Sequence, residues 1–328
     1  MKITTAHGGG GKLSAELIHD IFERYFSNSI LNEMQDSAVL PIPSDKIAFT
    51  TDSFVVNPLF FSGGDIGRLA VCGTVNDLLM RGAIPKYLSA GFILEEGLDT
   101  DLLLKVVRSM QLTAKEAGVI VVAGDTKVIE GKGGLYINTS GIGLINDEVD
   151  VSAKNVVPND TVIISGYLGN HHACIMSKRM GIENTIESDC APLCDMVNGL
   201  IENKIHIHAM RDITRGGLAT VLNEIALSSC VNIDLFPDLK IADEQVEGFC
   251  NILGLDPLYM GNEGKMVVFV PTYDADKALN IIKASKYGKN AKMIGTVKSA
   301  PPEVTIKTRS GGTRIIEPLM GEGLPRIC

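Results

Sequence analysis

The chain alternates between two hydrophobic periodicities, and this alternation predicts a mixed α/β protein. In some segments apolar residues recur every three to four positions, as in amphipathic helices. In others they form short continuous or alternating runs, as in strands. The helical pattern covers 14–27, 65–81, 100–117, 170–180, 216–229 and 274–286. The strand pattern covers 46–56, 86–94, 118–123, 135–145, 161–166, 204–212 and 265–270.

A polar stretch at 146–160 separates two such α/β halves and ends in Val-Pro-Asn-Asp, a composition typical of linkers. A length of 328 residues also favours two domains over one. We therefore expect one domain at 1–150 and a second at 151–309. Residues 310–328 are rich in Gly and Pro, and we expect them to form a flexible tail without regular secondary structure.

Hydrophobicity and charge limit the kinds of partner that the protein is expected to bind. No apolar run is long enough to cross a bilayer, and the N-terminus lacks the apolar middle region of a signal peptide. We therefore expect a soluble, cytoplasmic protein that does not bind membranes. The net charge is -9, and no cluster of Lys and Arg is found. Because binding to phosphate backbones requires such clusters, the sequence argues against nucleic acid as a partner.

The seven cysteines do not suggest a disulfide framework, since their number is odd and no C-x-x-C occurs. Cys190 and Cys194 are spaced to share a helix face, but no further ligands stand nearby with the spacing of a metal site. Small buried apolar thiols are the better interpretation of most of them. Cys328 differs, because it is the last residue of the sequence.

Four aspartates lie in similar contexts, each after a strand-like run or in a predicted helix. Carboxylates scattered in this way often meet at one rim of a sheet and hold Mg²⁺ on the phosphates of a nucleotide. Any one of them alone is more typical of a helix cap or a turn than of a metal site. The four are Asp52, Asp77, Asp125 and Asp212.

Three glycine-containing stretches leave two interpretations open. The run HGGGGK at 7–12 lacks the P-loop pattern, because Ala6 and Leu13 occupy positions that require Gly and Ser or Thr. It is either a flexible arm or a lid over phosphates. The stretch at 212–217 precedes a predicted helix, where backbone N–H groups and Arg215 could meet an anion. The stretch at 261–265 is either a tight turn or part of the site.

Together these motifs carry a resemblance. AHGGGGKL, the stretch from TTDSF to LEEG, VAGDTKV, RDITRGGL, NEGK and the closing PRIC resemble the HypE family of hydrogenase maturation proteins over essentially the whole chain. The internal motifs are shared, in looser form, with aminoimidazole ribonucleotide synthetase, selenophosphate synthetase and thiamine monophosphate kinase. The closing PRIC is the element that distinguishes the HypE family within this superfamily.

The resemblance implies a two-domain α/β fold, the aminoimidazole ribonucleotide synthetase-like (PurM-like) fold, with a tail that carries a reactive cysteine. The domain at 1–150 would bind ATP and Mg²⁺ and pair its sheet with a second copy in a homodimer. The activity would be ATP-dependent dehydration of an S-carbamoyl group on Cys328 to a thiocyanate, which supplies the cyanide ligand for the iron of nickel–iron hydrogenase. The partners would be the carbamoyltransferase HypF and the HypC–HypD complex.

The resemblance also assigns roles to single residues. Cys328 would carry the substrate, Lys127 would polarise it or transfer a proton, and Glu263 would act as the base. Acidic positions that would serve Mg²⁺ are Asp36, Asp52, Asp77 and Asp125. Positions that would line the nucleotide and its phosphates are Asn76, Gly124, Thr126, Asp212, Arg215 and Gly217.

Two other function classes remain open from the sequence. The first is another ATP-dependent enzyme of the superfamily, such as a selenophosphate synthetase. That enzyme would need a reactive cysteine near the N-terminal glycines, and residues 1–20 contain none. The second is a non-catalytic, cysteine-tailed scaffold or metal carrier, which would have no need of the acidic motifs.

Overall fold

The computed structural model describes residues 2–4, 7, 16–33, 40, 42–43, 46–237, 239–299, 301–308 and 311–319 of the chain. Asp36, Cys328 and most of the glycine run at 7–12 lie outside these residues.

The first half of the chain forms a four-stranded sheet. Its strands and those of a short hairpin are β1 (Lys46–Phe54), β2 (Phe60–Phe61), β3 (Gly64–Asp65), β4 (Ile84–Glu95), β5 (Ile120–Ile129) and β6 (Leu135–Ile145). The order in the sheet is β1-β6-β4-β5, and β2 pairs with β3. Strands β4 and β5 are parallel, and the other two pairs are antiparallel.

Two long helices cover one face of this sheet, α1 (Ile66–Leu79) and α2 (Thr100–Ala117). Both begin at an aspartate whose carboxylate accepts hydrogen bonds from backbone N–H groups of the first turn, Asp65 for α1 and Asp99 for α2. A shorter helical segment, π-helical over Ile18–Glu23 and α-helical over Arg24–Phe26, packs Phe22 on Phe92 of β4 with ring centroids 4.8 Å apart.

The second half forms a seven-stranded sheet with the order β13-β12-β9-β11-β7-β10-β8. Its strands are β7 (Asp160–Ile164), β8 (Ala209–Asp212), β9 (Val231–Leu235), β10 (Met266–Pro271), β11 (Lys292–Ser299), β12 (Val304–Lys307) and β13 (Thr313–Ile315). The helices of this half are α3 (Asn170–Met180), α4 (Cys194–Glu202), α5 (Gly217–Ser229), α6 (Glu244–Leu253) and α7 (Thr272–Ala284).

Helices cover both faces of the larger sheet. This explains why the sequence of β10 is continuously apolar. Met266 and Val268 belong to the hydrophobic cluster that contains α4 and α7. Val267 and Phe269 belong to the second cluster, on the side of α5. A strand buried on both faces has no polar face to alternate with. The first cluster continues into α1 and α2, so the two halves of the chain share one core.

Most of the predicted elements are confirmed, and the helices at 100–117 and 170–180 have the predicted ends. The strand prediction at 204–212 is wrong for its first five residues, since β8 begins at Ala209. Lys204 has a left-handed φ of 55°, and Ile205 closes a turn onto Leu200. His206 and His208 therefore do not share a solvated strand face. Their rings pack edge to face at 4.8 Å, and His208 Nδ1 lies 2.7 Å from the Asp160 carboxylate.

The pattern missed α4, α6, β9, β11 and β12. The prediction that no regular element follows residue 310 is also wrong, because β13 pairs with β12 at the edge of the larger sheet. Within the described part of the chain, none of the helices combines the length and apolar character needed to cross a membrane.

An ion-pair network joins the two halves at their surface. Arg68 of α1 lies 3.0 Å from the Glu116 carboxylate of α2 and donates a hydrogen bond of 2.8 Å to the carbonyl of Cys190. Lys286 lies 2.6 Å from Glu116, and the Tyr287 hydroxyl donates to the same carboxylate. Burial alone would raise the pKa of Glu116, but the hydrogen bonds from Lys286, Tyr287 and Arg68 outweigh it and lower the pKa to about 2.

We predict that Glu116→Gln lowers the free energy of unfolding by about 1–2 kcal/mol near pH 7, because it removes the shared acceptor of three donors. The carboxylate stabilises the fold above its unfolded pKa, and this contribution is lost as the pH falls towards about 2. The difference between the two proteins should therefore shrink below about pH 4. Urea unfolding at several pH values measures it.

The matched control is Asp147→Asn, which removes the acid of an exposed pair, 3.9 Å from Lys46. It should lower the free energy of unfolding by less than about 0.5 kcal/mol. If both variants lose the same free energy of unfolding, the ion-pair network around Glu116 does not stabilise the contact between the two halves.

Candidate active site between the two halves

Three of the predicted aspartates form one electrostatic cluster where the two halves meet. Asp52 lies on β1, Asp77 in the last turn of α1, and Asp212 at the end of β8. Burial, followed by the negative charges of Asp212 and Asp52, raises the pKa of Asp77 to about 6. The Thr50 hydroxyl donates a hydrogen bond of 2.9 Å to Asp77 and offsets part of this effect. Both halves of the chain therefore contribute to the cluster.

Burial also raises the pKa of Asp52 and of Asp212. For Asp52, a 2.7 Å hydrogen bond from the backbone N–H of Ser53 and the positive charge of Arg215 act against that rise. Arg215 is thus brought to the cluster from the turn that precedes α5. Asp52, Asp77, Asp212 and Arg215 thus lie in one place, but Asp125, which the sequence grouped with these three aspartates, does not.

Glu263 lies beside this cluster, in the turn at 261–265 before β10, and only 6% of its surface is exposed. Burial raises its pKa well above the ordinary value, and the neighbouring charges of Asp189, Asp212 and Asp52 raise it further. A carboxylate in such surroundings accepts a proton more readily than one in water. The stretch is therefore a turn, as its sequence suggested, and it lies beside the acidic cluster. Its part in a site stays a prediction.

The turn that holds Glu263 is fixed by its neighbours in sequence. Asn262 is fully buried, and its side chain accepts from the Gly169 N–H at 2.8 Å and donates to the Ile213 carbonyl at 3.0 Å. A Cβ atom on Gly264 would lie 2.0 Å from the carbonyl oxygen of Asp189, so only glycine fits there. The same holds for Gly217, whose φ is +65° and whose Cβ would lie 2.4 Å from the Leu258 carbonyl.

Asn76 is at the same junction, but its amide binds protein backbone. The side-chain N–H group donates to the Ala191 carbonyl at 3.0 Å, and the side-chain oxygen accepts from the Leu193 N–H at 2.9 Å. These bonds join α1 to the segment before α4. Its predicted contact with a nucleotide stays a prediction.

Asp125 and Lys127 lie elsewhere on the molecule. Both are on β5, where Lys127 Nζ is 2.8 Å from Asp125 and lowers the pKa of that carboxyl. Together with Gly124 and Thr126 they line a cavity of about 340 Å³, whose other described lining residues are mostly apolar. Asp52, Asp77, Asp212 and Glu263 do not line it. Within one chain the predicted site residues thus form two groups.

The cluster fits a cation that arrives with phosphates better than a metal held by protein alone. Among the residues that the structure describes, no three His, Cys, Asp or Glu side chains are placed to hold a metal ion. Mg²⁺ in nucleotide sites usually takes one or two carboxylates and completes its shell with phosphate oxygens and water. Buried carboxylates that raise one another's pKa supply such a site, because a cation removes their repulsion.

Sequence reasoning missed two residues of the site, Asp189 and Lys265. Asp189 is buried beside Glu263, and Lys265 Nζ lies 3.8 Å from its carboxylate. Lys265 lay within a recognised motif but received no role. Asp189 stands in a stretch without helix or strand, where periodicity gives no signal.

Comparison with known proteins gives a consistent result. Residues 34–145 match the N-terminal domain of AIR synthase related proteins, and residues 157–307 match the C-terminal domain. The chain is 44% identical to the carbamoyl dehydratase HypE of Rhodobacter capsulatus, over 100% of this chain and 98% of that protein.

Two solved structures are similar over almost their whole length. One is the hydrogenase maturation protein HypE in complex with ATP, with a TM-score of 0.94, 45% identity and coverage of 99% of both chains. The other is a chain of a HypE–HypF complex, with a TM-score of 0.81, 46% identity and coverage of 92% of this chain and 99% of that one.

We predict that Asp77→Asn makes the nucleotide-free protein more stable near neutral pH, by roughly 1–3 kcal/mol. Because the folded-state pKa is raised to about 6, Asp77 favours the folded state below about pH 4, and this contribution is lost as the pH rises through 6. Above that pH the charged form is the destabilising one. The difference between the two proteins should grow from about pH 4 to 7, as measured by urea unfolding.

Asp276→Asn is the matched control, since Asp276 is an exposed residue of α7. Its free energy of unfolding should change by less than about 0.5 kcal/mol at each pH. Destabilisation by Asp77→Asn at neutral pH would contradict the proposed charge repulsion.

Proposed function

The chain belongs to the AIR synthase related family and, within it, to the HypE carbamoyl dehydratases, and we propose that it dehydrates a carbamoyl group with ATP during hydrogenase maturation. The substrate is an S-carbamoyl group on Cys328, and the product is a thiocyanate that supplies the cyanide ligand for the iron of nickel–iron hydrogenase. The observation that carries the proposal is the buried acidic cluster beside Glu263. Such a cluster suits phosphoryl transfer to a neutral amide, whereas a scaffold has no need of it.

The reaction needs activation, because the oxygen of a thiocarbamate is a poor leaving group. Transfer of the γ-phosphoryl group of ATP to that oxygen converts it into a leaving phosphate. The C–O bond then breaks, the nitrogen loses both of its protons, and the C≡N triple bond forms. The products are thiocyanate, ADP and phosphate, so the oxygen removed from the carbamoyl group leaves in the phosphate.

Glu263 is placed to take a proton from the nitrogen. Its burial and its acidic neighbours make it a stronger base than an ordinary carboxylate, which suits abstraction from a weakly acidic N–H. Glu263 is only 6% exposed, and such burial would limit the access of water to a group bound beside it. Lys127 is assigned to polarise the carbamoyl group or to transfer a proton.

Asp52 and Asp77 are the residues of the cluster assigned to hold Mg²⁺ on the nucleotide, with Asp125 contributing from β5 of a second copy and Asp36 from outside the described part. Bound Mg²⁺ would neutralise charge on the phosphates during transfer. Asp212 and Arg215 build the phosphate region at the start of α5. Helix α5 directs the positive end of its dipole to that point, which favours an anion there.

The described end of the chain supports delivery of Cys328 to this site. The Leu319 N–H donates a hydrogen bond of 3.2 Å to the Thr220 hydroxyl, in the first turn of α5. Ile316 is buried and hydrogen-bonded to Val304. The chain is thus anchored one turn from the phosphate region. The nine residues at 320–328, if extended, reach about 30 Å.

The uncovered face of the smaller sheet supports the homodimer. Strand register places Phe49, Ile142, Tyr87 and Ile120 in one row across all four strands. Phe49 is 66% exposed. An apolar row on a face that α1 and α2 do not cover is typical of an interface. Pairing two such sheets would also give β5, with Asp125 and Lys127, a route to the acidic cluster of a second copy.

The remaining partners follow from the family. The similar structure of a HypE–HypF complex supports HypF as the carbamoyl donor. The HypC–HypD complex is the proposed acceptor of the cyanide, and the proposed location is the cytoplasm. Division into domains at 1–150 and 151–309, followed by a tail, agrees with the two matched domains and stays part of the proposal.

We predict that Cys328 gains the mass of one carbamoyl group when the protein is incubated with HypF, carbamoyl phosphate and ATP. The same peptide should then lose the mass of one water in a step that requires Mg²⁺–ATP. Mass spectrometry of the C-terminal peptide measures both changes, with Cys328→Ala as the control. An unmodified Cys328 beside an active carbamoyltransferase would contradict the proposal.

We predict that Phe49→Asp converts the dimer to a monomer, since a charge in the centre of an apolar interface is left without a partner. Sedimentation velocity measures the change. Tyr273→Asp is the control, because Tyr273 is 78% exposed in the first turn of α7, where an acid is tolerated. Retention of the dimer in Phe49→Asp, or its loss in both variants, would place the interface elsewhere.

A further inference from the structure

We propose that Asp189, paired with Lys265, is a positioning residue that holds the turn of Glu263 in place and fixes a negative charge against the Glu263 carboxyl. The inference rests on the proposed function, in which Glu263 is the base. In that scheme Asp189 contacts neither the substrate nor the nucleotide, and it acts through Glu263.

Two backbone links and one close approach join Asp189 and its neighbours to the Glu263 turn. The Glu263 N–H donates to Asp189 Oδ1 at 3.4 Å, and the Ala191 N–H donates to the Glu263 carbonyl at 3.4 Å. The Asp189 carbonyl lies where a side chain on residue 264 would be. A shift of Asp189 would therefore displace the backbone of Glu263 itself.

The charge on Asp189 is held in a defined place. The side chain is 4% exposed, and its Oδ1 also accepts from the His171 N–H at 3.1 Å, in the first turn of α3. The positive end of that helix stabilises the carboxylate. Lys265, 11% exposed, places its Nζ 3.8 Å from Oδ2. Asp189 Oδ2 is buried and has no hydrogen-bond partner among the described residues.

A buried oxygen without a hydrogen bond destabilises the fold, so its presence in a folded protein calls for a functional explanation. Here the same carboxyl group is paired with Lys265 through this oxygen and accepts the Glu263 N–H through the other. The charged side chains that act most strongly on the Glu263 carboxyl are Asp189 from the segment before α4, Asp212 from β8 and Asp52 from β1. Of these charged neighbours, Asp189 is the one hydrogen-bonded to the Glu263 backbone. Asp189 therefore influences both the backbone position of Glu263 and the charge around the Glu263 carboxyl.

The test is Asp189→Asn in the full chain, because Asn keeps the shape of the side chain and removes the charge. We expect kcat for dehydration to fall by about tenfold or more, while KM for ATP stays within about twofold. Carbamoylation of Cys328 by HypF, which does not use Glu263, should continue at the original rate. The carbamoylated form of the C-terminal peptide should then accumulate in the mass spectrum.

Asp160→Asn is the matched control. Asp160 is as buried as Asp189 and is paired with His208, but it does not contact the Glu263 turn. It should lower the melting temperature without lowering kcat for dehydration. If both variants lose kcat in proportion to their loss of melting temperature, the role of Asp189 is merely structural and the proposal is overturned.

A second variant keeps the proposal testable if Asp189→Asn fails to fold. Lys265→Met removes the cation paired with Asp189 and the 3.2 Å hydrogen bond that Lys265 donates to the Gly264 carbonyl, while the bonds from the turn to Asp189 remain. It loosens the pair from the other side, so it should also lower kcat with KM for ATP unchanged. An unchanged kcat in the folded variant would overturn the coupling.

Glu263→Gln distinguishes a failure of the proposed base role of Glu263 from a failure of the role of Asp189. If this variant still dehydrates carbamoylated Cys328, the base assignment in the proposed function fails. If it is inactive while folded Asp189→Asn retains full kcat, the proposed function stands and only the role of Asp189 is refuted.

Discussion

The burial of acidic side chains from both halves of the chain at one junction is the constraint on which the rest of the structure depends. Buried carboxylates close to one another oppose folding unless they are protonated, hydrogen-bonded or paired with cations. Their pKa values are raised accordingly, that of Asp77 to about 6. The shared hydrophobic cluster, the Asn76 amide and the Glu116 network hold the two halves together despite this repulsion. A cation and phosphates bound there, as in the proposed function, would relieve this repulsion.

The same constraint explains why the Glu263 turn is built so tightly. In the proposed function Glu263 is the base, and a base that is misplaced loses most of its effect, so a rigid turn suits this role. Gly264 lets the backbone approach Asp189, and buried Asn262 ties the turn to Gly169 and Ile213. These residues stabilise one conformation, whereas the acidic side chains destabilise it. Function and stability act against each other at this junction, as is common in active sites.

The sequence predicted those parts of the fold whose local signals agree with the tertiary structure. Helix α2 has a clear apolar stripe and an aspartate cap, so both of its ends were predicted. The alternation of His and Ile at 205–208 imitated a strand, but the chain makes a turn there after α4. Helix α4 was missed, and Cys190 and Cys194 do not share its face. Cys190 lies before it, where its backbone N–H donates to the Ser188 hydroxyl, while the Cys194 thiol donates to the Ala117 carbonyl.

For the site, motifs identified Asp52, Asp77, Asp212 and Glu263, but not the long-range packing that shifts their pKa values. The separation of Asp125 and Lys127 from that cluster depends on the placement of β5 at a sheet edge, which no local pattern contains. Asp189 lay outside every motif, and its role follows from a contact with a turn more than seventy residues away.

The central claim is that Mg²⁺ and nucleotide relieve repulsion among buried carboxylates. Calorimetric titration with a non-hydrolysable ATP analogue saturated with Mg²⁺, in buffers of different ionisation enthalpy, measures the protons released on binding. Near pH 6, where Asp77 is about half protonated, the account predicts release of roughly half a proton per site. The part of the release that comes from Asp77 should fall towards zero near pH 8, and the release near pH 6 should be smaller in Asp77→Asn by about that half proton. Binding without proton release near pH 6, or equal release from Asp77→Asn, would contradict the account.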